Sequence, residues 1–307
     1  MTDRDQVIER EERRALPTAL ATMAGVVVVI ISAIVLGSVN GDGDAELLRS
    51  AKEHSSAVTI SSLLQSAGFL LLLPGLLYLF RAALARSDTM RAQFVGVVVA
   101  APIFLAGFAI CNGVATNDAA KDFVAGGGEA DITRSEAAKD CRSDNQDLSQ
   151  QACIKKTIAD DRAQDAVSHS SLRAAAVGLG LGGRLGLAAA LLYTALYAMR
   201  TGLMTRFWGS LGMALGVISF LILQFTLVWF IYVALLIAGW VPGGRPPAWA
   251  AGEAIPWPTP GEGGPPDDDG TVAGSGRPLS DEEDEAGAEA PAAPSPRERR
   301  KRKQRRT

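Results

Sequence analysis

Long apolar stretches alternate with short charged ones along this 307-residue chain. Segments 18–39, 57–80, 92–115 and 174–199 carry no charged residue apart from Arg184. About 20 apolar residues in a helix rising 1.5 Å each cross a hydrocarbon core of about 30 Å, so each segment predicts a transmembrane helix. Pro74 and Pro102 fall inside the second and third and are expected to kink them.

The run 207–240 is harder to place, because none of its 34 residues is charged. As one helix it would be about 51 Å long and would need a tilt of about 54°, beyond the range of about 0–40° that spanning helices adopt. Two spans, 205–223 and 225–242, joined by a turn near Gln224–Thr226, fit the length better. No Gly, Pro, Asn or Asp marks that turn. The expected fold class is therefore an all-α integral membrane protein: an N-terminal segment 1–17, a six-span domain 18–242 and a disordered tail 243–307.

Charge supports the same count. The short basic segments are the N-terminus with Arg4, Arg10, Arg13 and Arg14, the link with Arg81, Arg86 and Arg91, and the link with Arg200 and Arg206. If all face the cytoplasm, the N-terminus is inside, and a basic C-terminal run inside requires an even number of spans. Both termini are thus expected to be cytoplasmic, in a bacterial inner (cell) membrane. The first apolar segment is too long for a signal-peptide core and reads as an uncleaved span. The overall balance, 30 Lys+Arg against 33 Asp+Glu, hides these separate blocks.

The long loop 116–170 would then lie outside, with stretches at 135–140 and 154–167 that look helical. Cys141 and Cys153 fall on it, where a disulfide can persist, and two free thiols are the alternative. Cys111, within the third span, reads as a small buried apolar residue. The two histidines, His54 and His169, each precede a span, and no HExxH or CxxC spacing points to a metal. No cofactor motif or catalytic constellation is visible, and no enzyme activity is expected.

Arg184 is the most informative single residue. Pieces of 10 and 15 uncharged residues flank it (174–183 and 185–199), neither able to cross alone. A charge at the bilayer centre costs about 2.5–3.5 kcal/mol on insertion scales, and no Asp or Glu lies in any span to offset it. Gln65 and Asn112 fall in the same outward half and complete a candidate anion-binding cup with Arg184. The alternative is that Arg184 snorkels to the outer headgroups. Gly178, Gly182 and Gly186, with Gly212 and Gly216 later, form small-xxx-small patterns that let helices approach closely.

In the tail, Trp240, Trp249 and Trp257 suit the headgroup zone. The basic run Arg297, Arg299, Arg300, Lys301, Arg302, Lys303, Arg305 and Arg306 can attract anionic lipid headgroups at about 1 kcal/mol each, in competition with the acidic run 281–285. No aromatic platform interleaves these bases, so nucleic acid is not an expected partner. The stretches TGLMTRFWGSLGMALG (201–216) and GGRPPAWAAGEAIPWPTPGE (243–262) resemble uncharacterised actinobacterial integral membrane proteins with about six spans. That resemblance implies membrane topology and no activity. The leading expectation is a non-enzymatic scaffold or partner-binding protein; the rival is a small-molecule or anion permease built around Arg184, Gln65 and Asn112.

Overall fold

The computed structural model describes residues 3–144, 149–170 and 172–257, and among them every regular element is helical. In chain order these are α1 (Asp3–Leu36), α2 (Asp44–Glu53), α3 (Ser55–Leu84), α4 (Val95–Val124), α5 (Arg134–Asp144), α6 (Gln150–Ser168), α7 (Arg173–Arg200), α8 (Arg206–Ile218), α9 (Thr226–Ala238) and α10 (Pro247–Ala251). Four stretches, Gln6–Leu36, Ser55–Leu84, Ala92–Val124 and Arg173–Arg200, are long and apolar enough to cross a membrane.

These four pack in sequence order, α1 on α3, α3 on α4 and α4 on α7. Small residues set the crossings. A methyl at Gly25 would lie 3.0 Å from Leu71 Cβ, and one at Gly183 would lie 3.0 Å from the backbone nitrogen of Leu105. The glycine stripe of α7 is used differently from its four-residue spacing: Gly178 faces open space, and Gly180 and Gly183 meet α4 most closely. Helix α1 does not begin at residue 18, as the apolar pattern alone suggests. It runs through Pro17 from Asp3, supported by strong helix formers, the Arg13–Glu9 pair at 2.9 Å and the burial of Ala15 and Ala19.

On the opposite end, α4 extends past residue 115 to Val124 and carries a second, smaller core. Leu48 of α2, Val58 of α3, Ala119, Ala120 and Phe123 of α4, and Ala163 and Ala166 of α6 pack together there. The segment 40–56, a plain polar loop on sequence grounds, thus holds the amphipathic helix α2. Polar side chains of α6 staple the rest: Asp160 accepts from Ala45 N at 2.9 Å, Asp161 from Asp131 N at 2.7 Å, and Arg162 donates to the carbonyls of Gly126, Gly127 and Gly128. Cys141 of α5 and Cys153 of α6 form a disulfide, with Cα atoms 5.8 Å apart.

The uncharged run 207–240 splits into α8 and α9, each 13 residues or about 20 Å long. They form an antiparallel hairpin, with Trp208 stacked on Tyr232 at 3.9 Å and Gly212 against the Trp229 indole. The tip does not reach the far end of the bundle. Gly216 lies against Ala188 and Leu191 of α7, and Leu223, Gln224 and Thr226 face Phe69, Pro102, Leu105 and Leu187. Leu187 is 13 residues from Arg200, about 20 Å, and 14 from Arg173, so the hairpin turns halfway along α7.

Segment 243–257, expected to be disordered from its Pro and Gly content, is instead folded under the bundle. Ala248 and Trp249 are 0% and 5% exposed, Trp249 Nε1 donates to Leu203 O at 2.9 Å, and Trp257 Nε1 donates to Met204 O at 2.9 Å. Two indoles with apolar faces to bury and one N–H each to satisfy outweigh the local composition. Trp240, by contrast, is 64% exposed, as a headgroup-zone residue would be.

Candidate functional site

Helix α8 stops at Ile218 in the middle of an apolar bundle, which leaves its last carbonyls in need of donors. The turn that follows answers much of that need itself: Ser219 N donates to Leu215 O at 2.8 Å, Leu221 N and Ile222 N donate to Ile218 O at 2.9 Å each, and Ser219 Oγ donates to Gly216 O at 2.6 Å. Thr226 Oγ1 closes the other side on Leu223 O at 2.6 Å. Arg184 adds one donor, its Nη1 donating to Phe220 O at 3.4 Å, while its buried Nε has no partner among the described residues. A cation at a helix C-terminal turn also opposes the negative end of the α8 dipole. Arg184 Nη1 thus reaches the hairpin tip.

The other two members of the anticipated cup have surroundings of their own. Gln65 lines a small void shared by α1, α3, α4, α7 and the hairpin tip, with about 30 Å³ open to water-sized centres and Gln224 and Thr226 as its other polar neighbours. That is room for about two water molecules. Asn112 is on α4 one residue before Gly113, which faces Ser62 and Val58 near the start of α3. No hydrogen bond among the described residues joins Arg184, Gln65 and Asn112. The tip side chains Val217, Phe220, Leu221 and Phe225 are 61%, 41%, 77% and 53% exposed, a surface for lipid chains rather than for water.

The end of the bundle that carries the 84–95 link holds a buried charge that the sequence pattern does not mark. Arg86, assigned to a basic link, has a side chain 0% exposed and forms a two-pronged ion pair with Glu11 at 2.6 and 2.8 Å. Its remaining N–H groups donate to Ala82 O (3.0 Å), Ala248 O (3.0 Å) and Trp249 O (3.5 Å). All five guanidinium donors are thereby used. Tyr78 donates to Glu11 O at 2.9 Å and stacks on Trp249. Arg245 donates to Leu236 O and Ile237 O, capping α9 where Gly239 turns left-handed at φ 80°. This network ties α1, α3, α9 and the segment 245–257 into one base.

The unit formed by α2, α5, α6 and the end of α4 is charged and polar on its surface. Thr133 and Glu136 form a reciprocal cap at the start of α5: Thr133 N and Oγ1 donate to Glu136 Oε2 at 2.9 and 2.6 Å, and Glu136 N approaches Thr133 Oγ1 at 3.4 Å. The Thr133 hydroxyl, and next its amide, hold the Glu136 carboxyl below its usual range. His169 pairs with Asp165 at 2.9 Å on the surface of α6, and His54 sits between α2 and α3. Among the described residues no group of three His, Cys, Asp or Glu is arranged to hold a metal. The basic run 297–306 lies outside the described residues. Comparison with protein families, with curated proteins and with solved structures finds no match to this chain.

Proposed function

We propose that the protein is a non-enzymatic membrane scaffold that presents its outer helical unit to a protein partner. The observation that carries this reading is the second core. Helices α2 and α6 and the end of α4 enclose Leu48, Ala120 and Ala163, and a disulfide fixes α5 to them. A folded, cross-linked platform with a polar surface suits recognition of a macromolecule better than passage of a solute. The membrane half supports the same reading, since the void beside Gln65 holds only about two waters.

In this proposal the four long helices cross the bilayer, and α8–α9 is a re-entrant hairpin that enters and leaves on the inner side. Two 20 Å helices are too short to cross about 30 Å, and their exposed apolar tip belongs in the hydrocarbon. Four crossings, like six, leave both termini on one face. The basic segments place that face in the cytoplasm and the disulfide on the oxidising side.

A photo-crosslinking amino acid at Lys155 or Gln164, exposed on α6, tests the proposal in cells, with Leu185 as the lipid-facing control. A discrete adduct at the α6 positions and none at Leu185 is expected. In reconstituted vesicles, anion efflux at the level of empty vesicles is expected for the protein and for Arg184→Leu alike. Efflux above background that Arg184→Leu abolishes would establish the permease instead.

A further inference from the structure

The inner end of the α1–α3 interface opens into a groove of about 450 Å³, and its lining combines two chemistries. Arg10, Arg14 and Arg81 stand around it, while Pro74, Leu77 and Tyr78 form its floor. Glu11 also borders the groove, but both its carboxylate oxygens are committed to Arg86. Among the described residues, none of the three arginines has an ion-pair partner, whereas their neighbour Arg13 is paired with Glu9 at 2.9 Å. Three exposed guanidiniums without an ion-pair partner among the described residues therefore line one groove.

Their height along the helices identifies the occupant. Arg14 immediately precedes the lipid-facing residues Leu16 and Leu20, which are 51% and 54% exposed. Arg81 follows the apolar part of α3 in the same way. The guanidiniums therefore lie at the headgroup level while the floor faces the first methylenes below it. We propose that this groove binds the headgroup phosphate of an anionic phospholipid, with the upper part of an acyl chain resting on Pro74 and Leu77. Guanidinium groups suit phosphate because their planar forks offer paired donors, and basic pockets between transmembrane helices on the cytoplasmic side take such headgroups. The site rests on the chain being membrane-embedded and not on the scaffold reading; it is also separate from the basic run 297–306.

Native mass spectrometry of the purified full-length protein tests this directly, with phosphatidylglycerol and phosphatidylcholine titrated separately. The protein should retain phosphatidylglycerol in preference to phosphatidylcholine. The variant R10Q/R14Q/R81Q should lose about fivefold in phosphatidylglycerol affinity per arginine, about a hundredfold in all, with phosphatidylcholine unaffected. R13Q, which alters a paired arginine, should change neither. If the triple variant does not fold, R81Q alone carries the test through its own fivefold loss. Phosphatidylglycerol binding that survives intact in these variants, or equal binding of the two lipids, overturns the proposal. Displacement of phosphatidylglycerol by millimolar inorganic phosphate also overturns it, since free phosphate would then be the ligand.

Discussion

Replacing Glu11 with Gln probes the base of the bundle at its most exposed thermodynamic point. The side chain keeps its size but loses the charge that faces Arg86, and an amide N–H₂ now confronts one guanidinium nitrogen. Arg86 is 0% exposed at its side chain, so it cannot regain water, while Glu11 at 15% is close to its edge. Breaking a buried ion pair by removing one partner costs about 3–5 kcal/mol. The three carbonyls of Ala82, Ala248 and Trp249 remain bonded to Arg86 and hold the loss near the lower figure, about 3 kcal/mol. Arg86→Met should cost less, about 2 kcal/mol, because Glu11 can turn toward solvent, but it frees Ala248 and Trp249 and loosens segment 245–257. The double variant should then cost less than the sum, with a coupling of at least about 1.5 kcal/mol. Reversible unfolding in mixed micelles, followed by tryptophan fluorescence, measures all three. A Glu11→Gln change within about 0.5 kcal/mol of the parent, or additivity in the cycle, would refute the claim that this pair locks the base.

Other consequences are equally concrete. Thr194 is 0% exposed and its hydroxyl has no partner among the described residues, so Thr194→Val should stabilise the bundle by about 1 kcal/mol in the same unfolding assay. Cys141 and Cys153 should resist an impermeant maleimide applied from outside until a reductant is added, and their replacement by Ser should cost up to about 3 kcal/mol in the outer unit. The Glu136 carboxyl titrates below its ordinary value of 4.5, so its cap contributes fully above that pH and is lost as pH falls through the depressed value. Thr133→Ala should therefore weaken protection of the α5 amides in hydrogen exchange near neutral pH, and the difference from the parent should shrink in acid, where only the Glu136 N to Thr133 Oγ1 half of the cap remains.

The legible and illegible parts of this chain divide along physical lines. A bilayer imposes one length on any crossing helix, so the four long helices follow from counting uncharged residues. The reciprocal cap at α5 is also present in the spacing of Thr133 and Glu136, an S/T-x-x-E pattern that periodicity alone passes over. Depth is different. A hairpin of uncharged residues has the same composition whether it crosses or turns back, and only tertiary contacts such as those of Gly216 with Ala188 and Leu191 fix where it ends. Arg184 shows the same limit: its charge marks a special position, but the carbonyl it answers, Phe220 O, is 36 residues away. Glu11 and Arg86 are 75 residues apart, and in a link with three arginines nothing local distinguishes the buried one. Segment 243–257 is ordered against its composition because average Pro and Gly content says nothing of two indoles reaching Leu203 O and Met204 O.

The re-entrant hairpin is the claim on which topology, the role of Arg184 and the lipid-facing tip all depend. A spin label at Leu221, introduced as a single cysteine with Cys111 replaced by Ser, reports its depth through collisions with oxygen and with a water-soluble nickel chelate. The account predicts strong oxygen and weak nickel broadening in bilayers, the pattern of a site near the hydrocarbon midplane. Strong nickel broadening from the outer side would mean that α8 and α9 cross fully, and the hairpin would have to be abandoned.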